Sequence, residues 1–321
     1  MIIPLVVCAK NEAAMLGACL DSLATAAAFA EARLPLRFAR LVVLDDTHDK
    51  SAPIADSRGF TVARARGGKV EAQRVGAQTP APFRIFSDAD IVVAPDTLHA
   101  LCTLMLAQPA LAVTTPPKQP VPPRAPTRLA RAIFDYNRHE GYAQRQAWFS
   151  GKLFAIRDWQ VPTVAELAPR IAAAAPDRFL DLPRGLVADD VYLSRSVVAR
   201  HGPTAIARSA GGMVWFRAPE TLRGMYQYYR RMQREIARVD ALFPETRPIH
   251  QRWGKRRTDV ARLLASPFAQ QLSHLYFRGA VALCRLRYVC DRFYHRHLAS
   301  SAAPEWIPIV ETKQPVFDPP A

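Results

Sequence analysis

The chain has 321 residues, half of them hydrophobic and 22% charged, which excludes a wholly disordered polymer and allows one large α/β domain or a domain with a helical extension. Its formal net charge is +15, from 43 Lys and Arg against 28 Asp and Glu, a balance that attracts nucleic acid, anionic lipid surfaces or phosphate-bearing ligands without choosing among them. Cys8, Cys19, Cys102, Cys284 and Cys290 form no CxxC pair and sit mostly among apolar neighbours, so the expectation is free, largely buried thiols in a reducing cytoplasm.

"MIIPLVVCA" opens the chain; it lacks a basic leader and a cleavage site and reads as a β-strand. No stretch reaches the roughly 18 consecutive apolar residues of a membrane span. Asn11 is placed to cap a helix whose apolar face is Met15, Leu16, Cys19, Leu20 and Leu23, at helical spacing. "FARLVVLDD" follows as a second buried strand ending in Asp45 and Asp46, then a short helix stopped by Gly59 and a third strand, "FTVARA". "GGKVEAQRVGAQ" is a glycine turn entering a helix, and "FRIFSDADIVV" a fourth strand with its exit. Pro95 opens a helix with Leu98, Leu101, Met105 and Leu106 inward, and "ALAVTT" is the fifth strand. Strand–helix alternation of this kind predicts a largely parallel sheet with helices on both faces, whose ligands bind beyond the carboxyl ends of the strands.

The proline-rich stretch 116–126 is neither helix nor inner strand. A long helix is expected over 127–146, another strand pair or hairpin arm in "WFSGKLFAIR", and loop with weak helix over 158–186. "VADDVYLSRSVVARHG" starts a helix on acids and closes it at Gly202. The expected division is an α/β domain over 1–218, a basic helical extension over 219–300 packed on it, and an extended tail over 301–321.

Four groups carry chemistry. Asp45 and Asp46 in "LDDTHD" suit hydrogen bonds to a nucleobase or ribose, or else a solvated strand-end turn. Gly67, Gly68 and Lys69 suit close approach of a phosphate to a helix start, although the Walker spacing is absent. Asp88 and Asp90 in "FSDADIVV" are like charges flanking one alanine; they either face water or hold a cation such as Mg²⁺ or Mn²⁺, which takes oxygen ligands. Asp189 and Asp190 can supply a general base or merely cap a helix.

The order of these groups, "VVCAKNE" at 6–12, "VLDDTHD" at 43–49, "GKVEAQRVG" at 68–76, "FSDAD" at 86–90, "SGKLFAIR" at 150–157 and "DDVYL" at 189–193, resembles the family 2 glycosyltransferases over about residues 3–240. The resemblance implies the GT-A fold, a Rossmann-like, mostly parallel sheet with helices on both faces, here with a basic helical C-terminal extension. It implies inverting transfer from a nucleotide sugar, a UDP-sugar first among them, to a hydroxyl acceptor. It places the base and ribose at the backbone of Ala9 with Glu12, Asp45 and Asp46, and the nucleotide near Lys69. Asp88 falls at the sugar end of the donor, Asp90 on the divalent metal, and Asp190 in the role of catalytic base. "DDTHD" is a residue shorter than the family's "DDGSTD", "QRVG" replaces its "NxG", and Asp189 replaces a Glu. The "QxxRW" of processive members is met only by "QYYRRM", with Gln227, Arg230 and Arg231, so non-processive transfer is expected.

Arg and aromatic residues interleave over 222–298. Three readings stay open: a helical cap with a solvated basic face, a helix lying on an anionic membrane, and nucleic-acid binding, the last not expected as a partner. A membrane contact would suit a lipid-linked acceptor or a cell-envelope glycan precursor, with the protein cytoplasmic and peripheral on the inner membrane face. The rival to an enzyme is a nucleotide-, membrane- or nucleic-acid-binding protein on an inactive scaffold of the same fold; a nucleotidyltransferase would carry a glycine-rich loop where "VVCAKNEAAML" stands.

Overall fold

The computed structural model describes residues 1–138, 147–187, 189–254, 259–299 and 309–316. In chain order the elements are β1 (Ile2–Ala9), α1 (Ala13–Glu31), β2 (Arg37–Asp45), α2 (Ser51–Asp56), β3 (Thr61–Ala65), α3 (Lys69–Gly76), β4 (Arg84–Asp88), β5 (Ile91–Val93), α4 (Thr97–Ala107), β6 (Val113–Thr115) and β7 (Lys118–Pro120). Then come α5 (Arg128–Arg138), β8 (Leu153–Ile156), α6 (Val164–Ala173), α7 (Asp189–His201), β9 (Ile206–Arg208), β10 (Val214–Phe216), α8 (Leu222–Leu242), α9 (Arg247–Ile249), α10 (Val260–Leu264) and α11 (Phe268–His297).

Seven strands form the main sheet in the order β3-β2-β1-β4-β8-β6-β9. β1 pairs in parallel with β2 and β4, β2 with β3, and β6 with β9; β8 alone runs antiparallel, between β4 and β6. This is the mostly parallel sheet with helices on both faces that the sequence implies. A central parallel strand is buried on both sides, and β1 alternates accordingly. Ile3, Leu5 and Val7 face a core with Leu16, Leu20 and Leu23 of α1 and Leu98 and Leu101 of α4, whereas Val6 faces Val70 of α3, Phe86 and Phe154. By length and composition α1 is the one described helix apolar enough to cross a membrane, and its Leu16, Cys19, Leu20 and Leu23 lie fully buried in that first core.

A smaller sheet, β5-β10-β7, follows from the "DADIVV" exit, which leaves the main sheet after Asp88 and restarts at Ile91 antiparallel to β10. The proline-rich stretch contributes only β7, an edge strand, as its missing N–H groups require. The extension packs through α8 and α11, with α11 also lying on α5.

Several expectations need correction. Asn11 is not the cap of α1: it sits at φ +53° and its Oδ1 accepts from His48 N at 3.0 Å, while Glu12 occupies the cap position without a side-chain bond. Leu106 is 36% exposed, because Thr97, Leu98, Leu101, Cys102 and Met105 already form the buried face of α4. The helix expected over 127–146 is described only as α5, the remainder lying outside the described residues. "WFSGKLFAIR" forms no hairpin; β8 threads between two strands distant in sequence. The tail, read as extended, makes a 3₁₀ turn at Val310–Lys313 before burying Val316 against Met15 and Val121.

α3 crosses β1 closely enough that a Cβ at Gly76 would run into the side chain of Val6. The β-branched Val6 is fully buried and cannot turn aside. Gly76→Ala is therefore expected to lower the free energy of unfolding by about 1–3 kcal/mol through overpacking, measured by urea denaturation; an unchanged midpoint would refute that crossing.

Candidate active site

β1, β2 and β4 point the same way, so Ala9, Asp45 and Asp88 emerge together at one edge of the sheet. The loops that leave this edge are tied to one another. Asp49 accepts from Ala13 N at 2.8 Å and Thr47 Oγ1 donates to the carbonyl of Ala9 at 3.3 Å. Asp46 adopts φ +41°, which swings its half-exposed carboxylate outward, 3.6 Å from Arg66. Asp45 does the opposite. It is 3% exposed, takes the Lys10 ammonium at 3.0 Å and accepts from Gly68 N at 2.9 Å. Sequence grouped these two acids; the structure gives Asp45 to the frame and Asp46 to the surface.

Gly67 and Gly68, at φ +117° and +99°, are conformations that favour glycine, and they deliver Lys69 to the first turn of α3. Its Nζ lies 2.7 Å from Asp88 Oδ1, 3.1 Å from Asp189 Oδ1 and 3.1 Å from the carbonyl of Gly151. Burial works to lower the Lys69 pKa, but Asp189 and Asp88 outweigh it and hold it well above the usual lysine value. Lys69 is thus a fixed positive charge where β4, α7 and the entry to β8 meet. Gly151 fits tightly at that meeting: a Cβ there would stand 3.1 Å from Lys69 Nζ and 3.3 Å from Asp189 Oδ1.

The two acids of α7 differ. Asp189 is 1% exposed, with one oxygen on Lys69 and the other accepting from Gln73 Nε2 at 2.7 Å; Gln73 in turn accepts from Trp159 Nε1 at 3.3 Å. Asp190 receives a single bond, from Gly151 N to Oδ2 at 3.3 Å. Burial first, and then the neighbouring Asp189 charge, raise its pKa. The approach to α7 is held by α8: Glu235 accepts from Val187 N at 3.2 Å and from Arg238 at 2.6 Å, and Arg238 also donates to the carbonyl of Leu180.

A third group gathers around Asp90. Lys152 Nζ is 3.5 Å from its Oδ1, which is buried and makes no hydrogen bond. Burial alone would raise the Asp90 pKa, but Lys152, Lys313, Arg231 and Lys69 hold it below the usual carboxylate value. Glu12, 7% exposed, is ion-paired with Lys313 of the C-terminal turn, while its second oxygen is buried without a hydrogen bond. Burial pushes Glu12 up to about 7, against the pull of Lys313. The turn carrying Lys313 is anchored by Arg217, which donates to the carbonyl of Pro315 at 2.6 Å, and by Arg124, which bonds Gln314 at 2.9 Å.

The buried oxygens of Asp90 and Glu12 that make no hydrogen bond are hard donors of the kind Mg²⁺ or Mn²⁺ takes. No cluster of three or more His, Cys, Asp or Glu able to hold a metal occurs among the described residues. That combination fits an ion that keeps its waters and completes its shell with substrate phosphates, and does not fit a closed protein cage.

Of the residues singled out in sequence, Asp88, Asp189, Asp190 and Lys69 converge within hydrogen-bonding range of one another or of Gly151, Asp90 and Glu12 lie beside them, and Asp45 and Asp46 flank the group. Sequence reasoning missed Lys152, Gln73, Trp159 and Lys313. Lys152 lies inside a motif already recognised, and β8 pairing with β4 is what aims it at Asp90. Lys313 has no local signal at all.

The model of the family described as glycosyl transferase family 2 matches residues 5–161. No curated protein sequence matches the chain. Among solved structures the chain is similar to glucosyl-3-phosphoglycerate synthase from Mycobacterium tuberculosis in complex with Mn²⁺, uridine diphosphate and glucosyl-3-phosphoglycerate, at 17% identity and a TM-score of 0.46, over 75% of this chain and 79% of that one. It is also similar to mannosyl-3-phosphoglycerate synthase from Rubrobacter xylanophilus, at 18% identity and a TM-score of 0.48, over 75% of this chain and 74% of that one. Likeness at this distance says nothing about substrate.

Gln73 is fully buried and is the hydrogen-bond donor that satisfies the second oxygen of Asp189. Gln73→Leu leaves that oxygen dry and unpaired, at an expected cost of about 1–3 kcal/mol in chemical denaturation. A loss below a few tenths of a kcal/mol would mean that Asp189 does not depend on it.

Proposed function

Because residues 5–161 belong to glycosyl transferase family 2, we propose that the chain is an inverting, non-processive, metal-dependent glycosyltransferase. It moves a hexosyl group from a nucleotide sugar, a UDP-sugar, to an acceptor hydroxyl, and works in the cytoplasm on a lipid-linked or cell-envelope glycan precursor. The observation that carries this reading is the convergence of Asp88, Asp189 and Asp190 on Lys69 and Gly151 at the carboxyl edge of parallel strands, where open α/β sheets take their ligands.

In this reading Asp190 is the base. Asp189 has both oxygens engaged, by Lys69 and Gln73, whereas Asp190 keeps an oxygen free of partners and has a raised pKa. A carboxylate so placed accepts the acceptor hydroxyl proton as that oxygen attacks the anomeric carbon and the bond to the diphosphate breaks. Asp88, fixed by Lys69, faces the sugar end of the donor. Glu12, Asp46 and the backbone at Ala9 border the nucleoside, with Asp45 bracing that border from beneath through Lys10 and Gly68. Asp90 would hold Mg²⁺ or Mn²⁺ through the oxygen that makes no hydrogen bond; when bound, the ion would neutralise charge on the departing diphosphate. Lys152 and Lys69 hold permanent positive charge on the same side.

Thermal shift with UDP, GDP and CMP, each with and without Mn²⁺, tests the donor. UDP with Mn²⁺ at a hundredfold excess over Kd is expected to raise Tm by roughly 5–10 °C; no metal-dependent shift with any nucleotide would sink the enzyme reading. Asp190→Asn is expected to reduce transfer at least 10²-fold, followed by nucleotide release, while the UDP–Mn²⁺ shift stays intact. Loss of that shift would move Asp190 from base to binding residue.

A further inference from the structure

α11 has two faces of opposite chemistry to those of a surface helix. Its inner face is filled: His274, Ala280, Cys284 and Tyr288 are buried, Phe277 stacks on Tyr136 of α5 at 3.8 Å between ring centroids, and Asp291 bonds the hydroxyl of Tyr226 of α8. Its outer face should then be polar. Instead Phe268, Leu272, Leu275, Leu286, Val289 and Phe293 are each at least 56% exposed, with Phe268 at 77%. Their spacing alternates four and three residues, with Gly279 and Ala282 filling the two intermediate positions, so they form one continuous stripe along a helix of 30 residues, about 45 Å long. Isolated exposed leucines need no explanation, but a contiguous apolar stripe of this length marks a surface that something covers.

The flanks name the cover. At 100° per residue, Arg278, Arg285 and Arg296 project along one side of the stripe and Arg287 along the other, and all four are exposed. Arg287 is steadied on the ring of Tyr226, 4.4 Å from its centroid. The only acid of α11, Asp291, points inward to Tyr226. A second copy of this helix laid along the seam would therefore set Arg against Arg with no acid to answer it, in a protein already carrying +15. An anionic bilayer satisfies both features at once: acyl chains meet the stripe and lipid phosphates meet the arginines at its margins.

We propose that α11 is an in-plane docking helix, seating its outer stripe roughly 5–10 Å into the headgroup boundary of an anionic membrane. The helix does not span the bilayer, because its opposite face is committed to α5 and α8. The inference deepens the partner side of the proposed function, since a lipid-linked acceptor would be met at that surface, but it is measured without donor, acceptor or metal.

The test is co-sedimentation of the full chain with vesicles of phosphatidylcholine alone and of phosphatidylcholine with 40% phosphatidylserine. Binding is expected to the anionic vesicles only and to fall steeply between 50 and 500 mM salt. The triple variant Leu272→Ser, Leu286→Ser, Phe293→Ser changes only exposed positions and is expected to lower the partition coefficient at least tenfold. Arg278→Ala with Arg285→Ala and Arg296→Ala is expected to flatten the salt dependence. Wild-type protein that ignores anionic vesicles, or a serine variant that binds as well, overturns the proposal. So does a concentration-dependent dimer in analytical ultracentrifugation that the serine variant abolishes, which would give the stripe to a second copy. The UDP–Mn²⁺ thermal shift on the same samples separates failure of docking from failure of the glycosyltransferase reading.

Discussion

One ammonium group decides the geometry of the site. Lys69 Nζ is shared by a carboxylate at the end of β4, a carboxylate at the start of α7 and a carbonyl at the entry to β8, segments 82 residues or more apart from Lys69 in the last case. Removing it would leave Asp88, Asp189 and Asp190 facing one another in a desolvated corner, where like charges cannot all remain ionised. With it in place the acids differentiate: Asp189 is pinned, Asp88 is oriented, and Asp190 is left to titrate. The glycine turn before Lys69 and the absence of a side chain at Gly151 follow from the need to bring this cation so close to three elements.

The same accounting of charge runs along the whole edge. Asp45 has Lys10, Asp46 has Arg66, Asp90 has Lys152 and Glu12 has Lys313. Pairs of this kind contribute little net stability: the exposed Asp46–Arg66 pair is screened by solvent, and for the more buried ones desolvation offsets most of the attraction. Their effect is positional: they hold acids in fixed places while leaving chosen oxygens unpaired. The two oxygens left without hydrogen bonds on this edge, on Asp90 and Glu12, are the ones with donor capacity remaining. The positive balance of the chain is used in two ways: as counter-charge inside, where Arg195 and Arg238 are almost wholly buried, and as exposed charge along α11.

The sheet was legible in sequence because a parallel strand buried on both faces leaves an unbroken apolar run, and the runs of β2 and β4 end on acids that the fold places at one edge. The acids could be grouped for the same reason. What could not be read was pairing across distance. The role of Asp45 as a brace depends on Lys10 and on the backbone of Gly68, and the antiparallel insertion of β8 depends on a topology no local pattern encodes. Asn11 looked like a cap because its residue type favours one, but a left-handed backbone there points its side chain to His48 instead. The basic extension carried three open readings in sequence; the burial of Arg234 and Arg238 emerges only once α8 lies against α7 and the loop before it.

Lys313 meets Glu12 across 301 residues of chain. At about 5–20 residues per second, a ribosome adds the lysine roughly 15–60 s after the acid. Until then Glu12 has no ammonium beside it. A segment 301 residues downstream therefore supplies the counter-charge for an acid that directly follows the first strand.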